Sequence, residues 1–138
     1  MKRMIAKRHY SIGEAQQLIP QVARILRKTM ALDKALDLLG SIEIEVYDDD
    51  YATLKKITKL NKQFHKLSFD FFVSLERLEE MGCIIKDLDA GVVDFPSVHD
   101  GKKIFLCWHI SEKKIQFWHG HEDSFMQRKP LFELNKKR

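Results

Sequence analysis

Two seven-residue apolar beats, each ended by a glycine, constrain this chain more than any other feature. Ala15, Val22, Thr29 and Leu36 form one row, and Leu18, Ile25, Leu32 and Leu39 form its neighbour. Repeats of this length place both rows on one side of an α-helix, the side that packs against another helix. Ser11-Ile12-Gly13-Glu14 writes a capping box at the start, because the Ser11 hydroxyl can accept from the third backbone N–H while the Glu14 carboxylate reaches back. Gly40 suits the end. Pro20 lies inside the pattern and removes a hydrogen bond near Gln16, so a bend is expected unless the first segment is a separate turn.

The second beat runs through Ile57, Phe64, Phe71 and Leu78, with Leu60, Leu67, Ser74 and Met81 beside it. Asp48, Asp49 and Asp50 suit the N-terminal end of such a helix, and Gly82 its stop. GSIEIEVYDDD, between the two beats, reads as a loop. A helix of about 31 residues is about 46 Å long, whereas a compact globule of this chain length is only about 37 Å across. The antiparallel hairpin should therefore protrude. Phe64, Phe69, Phe71 and Phe72 then need cover, which self-association supplies, so a homodimer is the expected assembly.

After Gly82 the period shortens to two. CIIKD, VVDFP, KKIFLCWH and KIQFWH are rich in β-branched and aromatic residues and are separated by Asp-Ala-Gly and Asp-Gly turns. Pro96 assigns the second run to an edge or a strand end. An even loop at SEKK sets Trp108 opposite Ile115, Leu106 opposite Phe117 and Ile104 opposite His119; a three-residue loop instead puts Trp118 in that row and His119 on the other face. The expected fold is α+β: a long antiparallel helical hairpin followed by a small antiparallel β-sheet. All 138 residues form one domain, with the hairpin over about 11–82, the β unit over about 83–128 and a basic tail over 129–138.

No apolar run approaches the roughly 20 residues that span a bilayer. MKRMIAKRHYSIGEA lacks the apolar block of a secretion signal, so a cytoplasmic protein is expected. Cys83 and Cys107 have no CxxC partner and read as buried free thiols. The net charge of +4 is concentrated in KRMIAKR and NKKR, which read as solvated tails.

Four stretches carry candidate chemistry. Asp87-Leu88-Asp89-Ala90-Gly91, followed by Asp94, begins like a calcium loop, but Val92 stands where glycine is needed and Val98 where a bidentate glutamate is needed. It reads better as an Asx-type turn. FWHGHED offers His119 and His121 on one strand face, with Glu122 or Asp123 able to complete a nitrogen and oxygen set for a divalent metal. Cys107 shares a strand face with His109, the minimum for an activated thiol, although its neighbours Leu106 and Trp108 suit a core position. Lys55, Lys59, Lys62 and Lys66 line one side of the second helix. In an antiparallel hairpin, Arg24, Arg27 and Lys28 approach Lys62 and Lys66, leaving a basic belt that could take RNA or another polyanion, while Asp33 and Asp37 partly neutralise Lys55 and Lys59. No nucleic-acid motif accompanies the belt, so nucleic acid is the weaker partner.

The stretch GCIIKDLDAGVVDFPSVHDGKKIFLCWHISEKKIQFWHGHEDSF, with the following Arg128, resembles a family of uncharacterised prokaryotic proteins, domain of unknown function 2203; SIGEAQQLIPQV shares its looser opening. The positions that match the family's pattern are Asp87, Asp89, Gly91, Asp94, Phe95, Pro96, Gly101, Cys107, Trp108, Glu112, Trp118, His119, Asp123, Phe125 and Arg128. Ser124 and Gln127 replace glycines of that pattern, His109 stands where arginine is more usual, and Gly120-His121 replaces a carboxylate and an aliphatic residue. The resemblance thus implies that His119, Glu112, Asp123 and Arg128 matter more than His121, and it implies no activity.

Three functional expectations follow. The first is a ligand-binding or protein-interaction module that self-associates through its hairpin, its pocket lying between sheet and helices and lined by Asp87, Asp89, Asp94, Trp108, Glu112, Trp118, His119, Asp123 and Arg128. The second is a metal-dependent, hydrolase-like enzyme, with a divalent metal held by His119, Asp123, Asp87 and Asp89. The third is a polyanion-binding or RNA-binding adaptor using Arg24, Arg27, Lys28, Lys62 and Lys66.

Overall fold

The computed structural model describes residues 9–42 and 51–135. Most of the segment read as a loop, its three aspartates, the basic run 2–8 and the last three residues of the basic tail lie outside them. Helix α1 spans Ile12–Gly40 and α2 spans Tyr51–Glu80. The capping box forms as written: Glu14 N donates to Ser11 Oγ at 3.1 Å and Ser11 N to Glu14 Oε1 at 3.0 Å. Pro20 is exposed and α1 is one helix through it. One turn earlier, the Gln16 side chain accepts the Ile115 N–H at 2.8 Å, which ties the helix to the sheet.

Five antiparallel strands form a meander in chain order: β1 Ile84–Asp87, β2 Val92–His99, β3 Lys102–His109, β4 Phe117–Gly120 and β5 Lys129–Pro130. Two short 3-10 turns, Phe125–Gln127 and Leu131–Asn135, flank β5. Asp100 and Gly101, with φ of 50° and 77°, make the two-residue turn that joins β2 to β3. Pro96 sits in the middle of β2. Strand β1 covers β2 only as far as Asp94, so among the described residues Pro96 has no strand neighbour on that side, and its carbonyl accepts the Tyr10 N–H at 2.7 Å.

One core joins the helices to one sheet face. Ala15, Ile19, Val22, Leu26 and Leu78 pack with Val93, Phe95, Leu106 and Trp108. Buried positions in α1 stop at Thr29, and those in α2 are Ser74 and Leu78. Only the end of the hairpin nearest the sheet has neighbours on two sides; farther out each helix has little beyond its partner to exclude water. The seven-residue rows are therefore real helix faces that are only partly sealed.

Thr29 Oγ1 and Ser74 Oγ meet across the helices at 2.9 Å, and each hydroxyl also reaches a carbonyl of its own helix, Ile25 at 2.8 Å and Phe71 at 2.7 Å. This buried pair sets the helix register, and it corrects the basic belt. Equal rise along antiparallel helices puts Lys28 level with about Leu75 and Arg24 level with about Glu79, whereas Lys66 is level with Asp37. Arg24, Arg27 and Lys28 thus stand at least about 14 Å along the axis from Lys66, and farther from Lys62. The first three turns of α2 run past the end of α1.

Tyr10 closes the join between hairpin and sheet. Its hydroxyl donates to the Met81 carbonyl at 2.7 Å, its carbonyl accepts from Ser97 Oγ at 2.6 Å, and its ring meets Phe95 edge-on. Gly82, at φ 84°, turns the chain out of α2 directly under that ring; a Cβ there would strike the Tyr10 hydroxyl and lie 2.6 Å from its Cε2. Gly82→Ala should cost about 3 kcal/mol, combining a left-handed backbone with overpacking, and chemical denaturation will measure it.

Candidate functional site

The two-residue turn at Asp100-Gly101 aligns His99 with Lys102 and therefore Asp94 with Cys107. Strand β4 pairs Leu106 with Trp118 and Phe105 with His119. This is the odd-loop arrangement: Trp118 joins the helix-facing row with Leu106, and His119 turns to the other face. Alternation along the strands then puts Asp94, Cys107 and His119 together on the sheet face away from the helices. The pocket expected between sheet and helices does not form around them.

All three side chains are buried, and their ligand atoms lie within 4.8 Å of one another; no other set of three or more histidine, cysteine or acidic side chains among the described residues converges in this way. His119 Nε2 is 3.0 Å from Asp94 Oδ2, and His119 Nδ1 is 2.9 Å from the Gly120 carbonyl. A carbonyl only accepts, so Nδ1 carries the proton and donates it there. Asp94 Oδ1 is buried without a hydrogen-bond partner.

A second cluster borders the first. The Arg128 guanidinium lies 4.3 Å from the Phe117 ring centre and 4.1 Å from that of Phe125. Its Nη1 donates to Glu112 Oε1 at 2.9 Å. The same oxygen accepts the His109 N–H at 2.6 Å, and the Glu112 carbonyl accepts the Trp108 indole N–H at 2.9 Å. Residues 117–128 thus cover the outer face with aromatic rings and one paired cation.

Burial first, then the negative charge of Asp94, pushes the Cys107 thiol up to about 12, against the opposing pull of Arg128. Burial pushes Cys83 up to about 12 as well. A metal-free Cys107 is therefore a protonated thiol at neutral pH, which does not suit the nucleophile reading. Its neighbours are Asp94 and Arg128, while His109 Nδ1 pairs instead with Ser111 Oγ at 2.6 Å.

The remaining sequence-derived residues lie elsewhere. Asp87 accepts the Ala90 N–H at 3.0 Å, making the expected Asx-type turn, and it is exposed, as is Asp89. Asp123 accepts the Gly120 N–H at 2.9 Å and stands 4.0 Å from Lys129. Neither the turn aspartates nor Asp123 converges with His119, so the metal set His119, Asp123, Asp87 and Asp89 is not brought together. Trp108 is core. Trp118 borders a cleft with His99, Lys102 and Lys129, and its indole nitrogen is buried without a partner. His121 is exposed and stacks on Phe105. Cys107 was missed as a companion of Asp94, yet the Asp-Gly turn already implied their register.

Two outcomes follow. Glu112→Ala strips the acceptor from a largely buried guanidinium and from the His109 N–H, and should cost about 3 kcal/mol, with Glu112→Gln costing less. In metal-free protein both thiols keep protons in the fold that the unfolded chain begins to release near pH 9. Stability should therefore fall as pH rises from 9 toward about 12. A Cys83→Ala, Cys107→Ala variant should lose less over that window in urea denaturation.

No curated protein and no solved structure matches the chain. A family model described as an uncharacterized conserved protein, DUF2203, matches residues 8–131. With nearly the whole chain inside that match, the helical hairpin, the five-stranded meander and the buried Asp94, Cys107 and His119 all belong to a member of the DUF2203 family.

Proposed function

We infer that the chain is a cytoplasmic protein-interaction module that pairs with a second copy of itself through the outward side of α2. The exposure of Phe69 and Phe72, 69% and 65%, carries this reading. At roughly 200 Å² per ring, these two alone leave about 270 Å² of aromatic surface in water. Tyr51 and Leu54 are exposed on the same side of the helix four to five turns earlier, and Val73 adjoins Phe72.

The first sixteen residues of α2 carry Lys55, Lys56, Lys59, Lys62 and Lys66 with no acidic residue, whereas the last fourteen carry Asp70, Glu76, Glu79 and Glu80 against Arg77. Two copies crossing antiparallel bring Tyr51 and Leu54 of one near Phe69 and Phe72 of the other, with the lysine stretch of each helix crossing its copy at the centre. Isologous contacts of this kind close on a two-fold axis and stop at a dimer. The two unpaired buried cysteines suit a reducing compartment. Among the described residues, no helix is long and apolar enough to cross a membrane.

Sedimentation equilibrium should find a dimer that strengthens as salt screens the facing lysines. Phe69→Asp, Phe72→Asp should weaken it by about 100-fold or more while helical circular dichroism is retained. A wild-type chain that stays monomeric up to high micromolar concentration would sink the reading.

A further inference from the structure

We propose that Asp94, Cys107 and His119 form a buried metal centre for a divalent transition ion of the zinc class, one that ties strands β2, β3 and β4 together. Three independent observations point there. The donors come from three adjacent strands and meet within 4.8 Å without a loop having to fold over. The Gly120 carbonyl holds the proton of His119 on Nδ1, so Nε2 faces the other two donors; this is how an outer acceptor orients a ligating imidazole. Asp94 Oδ1 is a carboxylate oxygen on a side chain 2% exposed, with no hydrogen bond to satisfy it.

The donor set selects the ion. A sulfur, an imidazole nitrogen and a carboxylate oxygen favour zinc, cobalt or ferrous iron over magnesium or calcium, which take oxygen donors. Around a tetrahedral zinc ion, nitrogen and oxygen donors stand about 3.3 Å apart; Nε2 and Oδ2 are 3.0 Å apart here. Charge also balances. On binding, the ion displaces the thiol proton and the proton held between His119 Nε2 and Asp94 Oδ2, both released to solvent, and its two positive charges then meet one thiolate, one carboxylate and a neutral imidazole, giving a neutral cluster suited to a buried site. The adjoining Arg128–Glu112 pair is neutral as well. The chain supplies three donors and leaves the fourth position of a tetrahedral ion to a solvent ligand.

The test uses full-length protein purified without a histidine tag, stripped with chelator and titrated with Co²⁺ and Zn²⁺. We expect about one ion per chain, a thiolate-to-cobalt charge-transfer band, and a melting temperature higher by more than about 5 °C with saturating zinc. The band should vanish in Cys107→Ser and persist in Cys83→Ala. X-ray absorption of the zinc-loaded wild type tests the site without any variant and should show one sulfur at about 2.3 Å together with imidazole scattering. No uptake, a sulfur-free zinc shell, or a cobalt band that depends on Cys83 overturns the proposal. None of these outcomes bears on dimerisation, which is read separately by sedimentation.

Discussion

The packing of Tyr10 over Gly82 is the constraint from which the other placements follow. Gly82 takes the left-handed backbone that lets the Cys83 N–H cap the Leu78 carbonyl at 3.1 Å and turns the chain out of α2 into the sheet, and its missing Cβ leaves room for the Tyr10 ring. Tyr10 then reaches Met81 with its hydroxyl and β2 with its backbone. One residue thus joins the entry to α1, the exit from α2 and the middle of β2. With β2 held there, Val93 and Phe95 must face the helices. Asp94, between them, must face away.

That division explains why the molecule has two unlike surfaces under cover. The helix-facing side of the sheet is an ordinary apolar core. Among the described residues no α-helix seals the other side, and residues 117–128 cover it with the Phe117, Arg128 and Phe125 stack and with His119. Polar side chains buried under such a thin cover need partners. Most have them: Glu112 serves Arg128 and His109, and Asp123 serves Gly120. The unsatisfied oxygen of Asp94 stands out against that economy.

The hairpin shows the complementary problem. Its sheet-proximal end is sealed by Leu26, Leu78 and the Thr29–Ser74 hydroxyl pair. Its far end exposes Leu38, Leu54 and Tyr51, and the outward side of α2 exposes Phe69 and Phe72. A two-helix layer can bury only one stripe on each member. The periodicity that announced the helices therefore also announced the surface left over.

Local chemistry made much of the fold legible in the sequence. Ser11 and Glu14 announced the start of α1, the seven-residue rows both helices, Gly82 the stop, and Asp100-Gly101 the β2–β3 turn with the pairing of Asp94 and Cys107 that follows from it. These depend on interactions within a few residues, or on a register propagated from a tight turn. The helix register and the loop before β4 were not legible. The first rests on a hydroxyl pair 45 residues apart, and that pair separates Arg24 and Lys28 from Lys66. The second is irregular, and a one-residue change in it moves His119 from one sheet face to the other. Sequence alone determined that carboxylates, a thiol and imidazoles occur in a small β unit; tertiary structure decided that Asp94, Cys107 and His119 are the ones that meet, because pleat and register are settled by long-range packing.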